Sequence, residues 1–400
     1  MKILYVSTLC SDEKFSTIFE KSNRKPQQQA QKFHKLLSKG LLMLGNTIQV
    51  ISRPPTNEKL GEFKKTEDYK KIKFYYVSVL KNPLLRNISI FFETLINAFK
   101  WNLQNRKEEK FIICDVLNLS ISSAALLSSK IFGTTTVAIV TDVPNYMDDY
   151  AQFKKKSLLK RVKLKINKSI VNFFMYRYDR YVILTEQMNK IVNPNCRPYV
   201  VVEGMVDCDM EGVPNSFDNK YSEKVIIYAG ALKKKYGLDK LIKAFMKLND
   251  KNARLWLFGY GDMESDIKHY ELEDNRIKFH GVVPNNRVVN EQIKATLLVN
   301  PRPSSEEFTK YSFPSKNMEY MVSGTPVITT PLQGMPKVYN EYVYLFEDET
   351  IDGMANTLNK ILKKSRKDLH CVGLNSKEFV SKEKNNIMQA RKIMELERED

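Results

Sequence analysis

Four hundred residues, 42% hydrophobic and 11% aromatic, are enough for two cores of ordinary domain size and exclude a disordered chain. The formal charge of +18 is uneven: residues 1–212 carry 34 Lys/Arg against 20 Asp/Glu, and residues 213–400 carry 30 against 26. Five cysteines, odd in number and without a Cys-x-x-Cys pair, argue against a disulfide framework or a zinc site and for a reducing, cytoplasmic setting.

The chain opens on a short apolar run that charged residues soon end at Asp12, Glu13 and Lys14, which reads as a first strand and not as a signal peptide. No run of about 18 apolar residues follows, so no helical membrane span is expected. Short β-branched runs then alternate with longer amphipathic stretches, the pattern of parallel sheets with crossover helices. Strands are predicted at 3–7, 47–51, 73–79, 111–115, 135–141, 181–184 and 199–202. The stretch 206–220, with Gly212, Pro214 and Asn215, reads as an interdomain connection. A second series begins beyond it, with strands at 224–229, 253–258, 277–279, 297–300, 326–329 and 343–346. The expected architecture is α/β: two doubly wound, Rossmann-like domains in tandem. They are an acceptor-binding domain at 1–212 and a donor-binding domain at 213–376. A terminal helix at 377–400 then packs through Phe379, Ile387, Ala390, Ile393 and Met394 and returns to the first domain.

Within the first half, residues 154–178 carry Leu158, Val162, Ile166, Ile170 and Phe174 at intervals of four, an apolar stripe on a predicted helix. Lys154, Lys155, Lys156, Lys160, Arg161 and Lys163 crowd its start. Such a helix suits an anionic membrane surface, and it equally suits burial of the stripe against the sheet with lysines in water. Both readings stay open.

The most informative stretch is FPSKNMEYMVSGTPVITT (313–330): a proline turn opens a helix, Gly324 closes it and a β-branched strand follows. Amides at such a helix start can hold a diphosphate, and Glu319 lies one turn inside, in reach of a ribose. Together with YAGALKKKYGLDKLIKAF (228–245), LWLFGYGD (255–262), IKFHGVVP (277–284) and LLVNPRP (297–303), this stretch resembles the donor domain of the retaining group 1 glycosyltransferases, glycosyltransferase family four, which have the GT-B fold. In the first half IVTDVPNY (139–146) and VVVEGMVD (200–207) resemble the family more loosely. The Phe-Pro-Ser-Lys turn looks like that of a branch found in surface-polysaccharide assembly.

The resemblance implies a transferase that moves a hexose-type sugar, with retention, from a nucleotide-sugar substrate to a saccharide or lipid-linked saccharide. UDP-sugars are expected first, with GDP- or ADP-sugars as alternatives. It implies no cofactor and no metal ion. The cysteine usage and the basic helix point to the cytoplasm, free or peripheral at the inner face of the membrane. Position by position, Glu319 falls on the glutamate that binds the ribose. Ser315, Lys316 and Asn317 fall where amides face the diphosphate, Val282 and Val283 where the base is contacted, and Gly230 on the glycine that admits the phosphates. Tyr311 stands where the family has its first motif glutamate, with Phe313 beside it. The family's basic pair in the first loop falls on or near Ala231 and Tyr236, so Lys233, Lys234 or Lys235 is expected to substitute.

Asp142, after the strand at 135–141, is the candidate to orient the acceptor hydroxyl or the sugar, or else a turn aspartate beside a proline. Asp207-Cys208-Asp209 spells a metal motif of a different glycosyltransferase fold, but it falls in the interdomain connection and is not read as a metal site. A GT-B sugar-nucleotide epimerase is the alternative enzyme. The charge alone suggests a nucleic-acid-binding protein, for which no recognition motif is present. The absence of Gly-x-Gly-x-x-Gly after the first strand disfavours an oxidoreductase.

Overall fold

The computed structural model describes residues 1–23, 25–58, 64–80, 82–143 and 158–398. The chain forms two compact units, Met1–Glu203 with Asn386–Asp400, and Gly204–Asn385.

The first unit is built on an eight-stranded sheet in the order β3-β4-β2-β1-β5-β6-β7-β8. Its strands are β1 (Lys2–Ser7), β2 (Thr47–Ser52), β3 (Thr66–Tyr69), β4 (Ile72–Tyr76), β5 (Lys110–Asp115), β6 (Thr135–Val140), β7 (Arg180–Ile183) and β8 (Tyr199–Val201). All neighbours pair parallel except β3 with β4. In β1 and β5 nearly every residue is buried, as strands covered on both faces must be. β3 was not predicted. Its sequence, TEDY, lacks an apolar face, and its hairpin turns through Lys70 and Lys71 at φ 48° and 66°, where Asn-Gly would be the usual signal.

Helices Pro83–Gln104, Leu119–Phe132 and Leu158–Met175 make the right-handed crossovers after β4, β5 and β6 and lie side by side on one face of this sheet. On the other face, helix Gln28–Met43 carries the last helix, Asn386–Arg398. These two approach so closely that a Cβ on Gly40 would lie 2.1 Å from the Asn386 carbonyl oxygen, so only glycine fits there. Arg180 ties the end of the last helix to β7 through the Glu397 carboxylate at 2.9 Å and its carbonyl at 2.7 Å.

The second unit has a six-stranded, wholly parallel sheet in the order β11-β10-β9-β12-β13-β14. The strands are β9 (Lys224–Ala229), β10 (Ala253–Phe258), β11 (Ile277–Gly281), β12 (Leu297–Asn300), β13 (Val327–Thr329) and β14 (Tyr344–Leu345). Counted from β9 the order is third, second, first, fourth, fifth, sixth, that of dinucleotide-binding sheets. Its core gathers Tyr228, Leu241, Phe245, Leu257, Val299, Phe346 and Leu358, all 0–1% exposed.

Two boundaries differ from expectation. Residues 204–212 belong with the second unit because the Val206 amide donates to the Lys384 carbonyl at 3.0 Å. The terminal stretch is two helices, not one. Arg366–Glu383 stays in the second unit and Asn386–Arg398 in the first, so the chain changes unit after Asn385, beyond the expected 376/377.

The apolar stripe at intervals of four also behaves differently. Ile166 and Ile170 are 56% and 42% exposed, while Met175 and Tyr178, at the helix end, are buried. The described part of that stripe does not seal against the sheet. Lys154, Lys155 and Lys156 lie outside the described residues. Lys160, Arg161 and Lys163 lie within helix Leu158–Met175. Among the described residues no helix is long and apolar enough to cross a membrane.

Candidate nucleotide-binding site

In a doubly wound sheet the chain leaves the strands in opposite directions where the first and fourth meet, and the carboxyl ends there form a crevice. In the second unit these are β9 and β12. The loop after β9 begins at Gly230 and closes at a 3-10 turn, Lys234–Tyr236. The loop after β12 runs through Arg302 and a second 3-10 turn, Glu307–Tyr311, to helix Ser315–Val322.

That helix is anchored by its own polar side chains. Asn317 is fully buried: its Oδ1 accepts from Asn300 Nδ2 at 2.8 Å, and its Nδ2 donates to Thr329 Oγ1 at 3.3 Å. The helix start is thereby tied to the last residues of β12 and β13. One turn on, buried Tyr320 brackets the last residue of β9, with its hydroxyl accepting from the Ala229 amide at 2.8 Å and donating to the Ala229 carbonyl at 3.1 Å.

Between these anchors the Lys316 side chain runs back across the start of the β9 loop. Its Nζ lies 3.0 Å from Tyr228 Oη and 4.5 Å from the centre of that ring. A Cβ placed on Gly230 would fall 1.7 Å from this Nζ, and Gly230 sits at φ 152°. Glycine is needed there twice, for the backbone and for the ammonium. Burial pushes the Lys316 ammonium down to about 8, against the pull of Glu319 and with the push of Arg302. A cation held below its usual range beside an open loop is poised to gain from an anion. Arg302 lies over the Phe308 ring, 4.5 Å from its centre, and 5.8 Å from that of Tyr236.

The structure brings Gly230, Lys316 and Glu319 together at this switch point, with exposed Lys233, Lys234 and Lys235 on the adjoining loop. Val282 and Val283 follow β11, Val282 being 71% exposed, and the Gly259 amide bonded to the Gly281 carbonyl at 2.8 Å joins their loop to that after β10. Tyr311 ends its 3-10 turn half-buried.

Three expectations need revision. Phe313 is a core residue, 5% exposed, with its ring 5.4 Å from that of Tyr339. Asn317 contributes its side chain to the interior. The Ser315 and Asn317 amides donate to the Phe313 and Pro314 carbonyls at 2.9 and 2.8 Å, because the proline turn folds back on itself. The cation presented here is the Lys316 side chain, where amides alone were expected. Sequence reasoning missed Arg302 and Tyr320; the available signal was an Arg two residues after the strand LLVN, on the central crevice.

In the first unit Asp142 follows β6, half-buried, and its Oδ1 accepts the adjacent Val143 amide at 2.9 Å. Residues 144–146 of the resembling loop lie outside the described residues. Asp207, Cys208 and Asp209 each place a potential ligand atom within 4.8 Å of the others. The Asp207 carboxylate caps the turn through the Asp209 amide at 3.1 Å.

Residues 212–395 match the family described as glycosyl transferases group 1. The whole chain superimposes on sucrose-phosphate synthase from Thermosynechococcus elongatus at a TM-score of 0.69, with 14% identity and 98% of that chain covered. A glycosyltransferase from Rickettsia africae gives 0.64 at 16% identity, covering 100% of this chain and 99% of that one. Anabaena HepE in complex with UDP-glucose gives 0.62 at 13%, covering 99% and 98%. Among curated proteins none matches in sequence. The chain has the two Rossmann-like domains of GT-B glycosyltransferases. Family match and fold together support a glycosyltransferase.

Proposed function

We propose that the protein transfers a hexose-type sugar from a nucleotide-sugar donor, a UDP-sugar first, to a saccharide or lipid-linked saccharide in surface-glycan assembly. The observation that carries this reading is the Lys316 ammonium lying across Gly230 at the β9/β12 crevice. Breaking a sugar–phosphate bond leaves negative charge on the departing diphosphate. Lys316 stabilises that charge, with Arg302 and a lysine of 233–235 nearby, and a preorganised donor of this kind contributes about 3 kcal/mol. Glu319, one helical turn along, accepts from the ribose hydroxyls. A cationic crevice substitutes for a metal ion, so the proposed reaction is metal-independent. Retention follows the resemblance, with the leaving phosphate assisting deprotonation of the acceptor. Asp142 is assigned to orienting the acceptor hydroxyl or the sugar.

Thermal-shift titration with UDP, GDP and ADP, followed by nucleotide release on adding acceptors, tests the reading. Loss of the Glu319 bond to ribose is expected to weaken nucleotide binding about tenfold or more. A Glu319→Ala chain with unchanged affinity for every nucleotide and full turnover overturns it.

A further inference from the structure

Helix Pro83–Gln104 carries two apolar stripes. Ile90, Thr94, Ala98 and Trp101, at most 3% exposed, face the sheet. Leu85, Ile88, Phe92, Ile96, Phe99 and Leu103, at intervals of three and four, are 37–56% exposed. A crossover helix normally turns a polar face to water, and a helix apolar all round belongs in an interior. This stripe runs five turns, about 27 Å at 1.5 Å per residue. It is extended by exposed Leu127 and Ile131 on Leu119–Phe132 and by Ile166, Ile170 and Phe173 on Leu158–Met175. Exposed apolar surface of that extent marks a contact.

The charge on the same layer says with what. By sequence the three helices carry eight basic residues (Arg86, Lys100, Lys130, Lys160, Arg161, Lys163, Lys165 and Lys168) and one acidic residue, Glu93; of these Lys130 is paired with Asp179 at 2.6 Å, while Lys165 and Lys168 are exposed. Glu93 is itself occupied, accepting from Tyr75 Oη at 2.7 Å and from the Ser78 amide at 2.8 Å. We propose that this layer docks on an anionic phospholipid bilayer, with the stripe of Pro83–Gln104 entering the interface and the lysines meeting the headgroups. A second copy would bring two equally basic faces together and repel. A bilayer needs no matching contour and supplies both the acyl boundary and the negative charge. Helix Pro83–Gln104 is the apolar part of such a surface, which charge alone did not reveal. The inference does not depend on the donor reading, since lipid binding requires no sugar nucleotide.

The test is sedimentation of the full chain with vesicles of phosphatidylcholine, with and without phosphatidylglycerol. Binding is expected with the anionic vesicles, weakening with salt. A Lys165→Glu, Lys168→Glu double variant is expected to weaken it about fivefold or more for each residue changed. Phe92→Ser with Ile96→Ser is expected to lose about tenfold or more. Both are surface changes, and an unaltered circular-dichroism spectrum and melting temperature report intact folding. Equal binding by the Phe92/Ile96 variant overturns the proposal, as does a wild-type chain that stays in the supernatant. Dimers that the same substitutions dissolve, without vesicle binding, also overturn it and make the face a self-interface.

Discussion

Asn300 and Asn317 meet in a closed interior, side chain to side chain at 2.8 Å, where the fourth strand of the second unit ends and its site helix begins. This bond, with Thr329 on the far side of Asn317, fixes the orientation from which Lys316 reaches Gly230. Asn317→Leu leaves Asn300 with a buried amide and no acceptor from this partner. A loss of about 2–3 kcal/mol is expected in denaturant unfolding. Asn300→Ala combined with Asn317→Ala should cost less than the two single changes summed, since they remove one bond.

Lys316 makes the site sensitive to pH. Burial holds its folded pKa at about 8, below the ordinary lysine value. The ammonium that meets the diphosphate is therefore lost as pH rises through about 8, and nucleoside-diphosphate affinity should fall there. Lys316→Met should bind about tenfold or more weakly and lose this pH step. In the unliganded chain the sign for stability is opposite. The unfolded state holds the proton up to 10.5, so this residue adds stability as pH climbs between about 8 and 10.5, and the methionine variant should lack that slope. Isothermal titration and pH-dependent unfolding check the two halves separately.

Gly230→Ala places a methyl where the Lys316 ammonium lies, at a φ of 152° that side chains rarely adopt. A stability loss of about 1–3 kcal/mol is expected from the backbone. The larger effect should be on nucleotide affinity, which should fall as far as in Lys316→Met. Adding the second change to the first should then lower affinity little further, measured by calorimetry.

Lys220 provides a contrast within the same unit. Its Nζ donates to the Ile293 carbonyl at 2.6 Å, the Ala295 carbonyl at 3.2 Å and Thr325 Oγ1 at 2.9 Å, closing the carboxyl end of helix Asn285–Lys294. Burial pushes its pKa down to about 7. Lys220→Met removes this common donor, and a destabilisation of about 1–3 kcal/mol is expected. Nucleotide affinity should not change. Because the folded pKa is the lower one, stability attributable to Lys220 rises with pH from about 7 toward 10.5, and the variant should lose that rise in thermal unfolding.

Alternation of β-branched runs with amphipathic stretches was enough to place every strand but β3, because parallel strands buried on both faces announce themselves by composition. β3 escaped because an edge strand can be acidic and because Lys70 and Lys71 perform a turn that glycine and asparagine usually mark. The change of unit after Asn385 escaped for a related reason. The residues around it are as polar and helix-prone as their neighbours, and only the carbonyl of Lys384 bonded to Val206 reveals which side they serve. At the candidate site, motif register put Gly230 and Glu319 on the loop and helix that meet at the β9/β12 crevice. The direction of a long side chain could not be read from register: Lys316 crosses to the neighbouring loop, and Asn317, one residue later, turns inward. An i, i+3, i+4 pattern likewise does not say which of two apolar stripes a helix buries, so the exposed row on Pro83–Gln104 became visible only with the sheet beneath it.

The first unit is assembled from both ends of the polypeptide. Helix Asn386–Arg398 lies against Gly40 and is locked at its far end by Arg180. During synthesis the amino-terminal sheet must therefore wait, one helix short, while the entire intervening unit emerges and folds. A chain interrupted between residues 203 and 386 leaves the apolar side of Gln28–Met43 uncovered. Dissection at the midpoint would yield an incomplete half, whereas excision of Gly204–Asn385 would remove a self-contained insert.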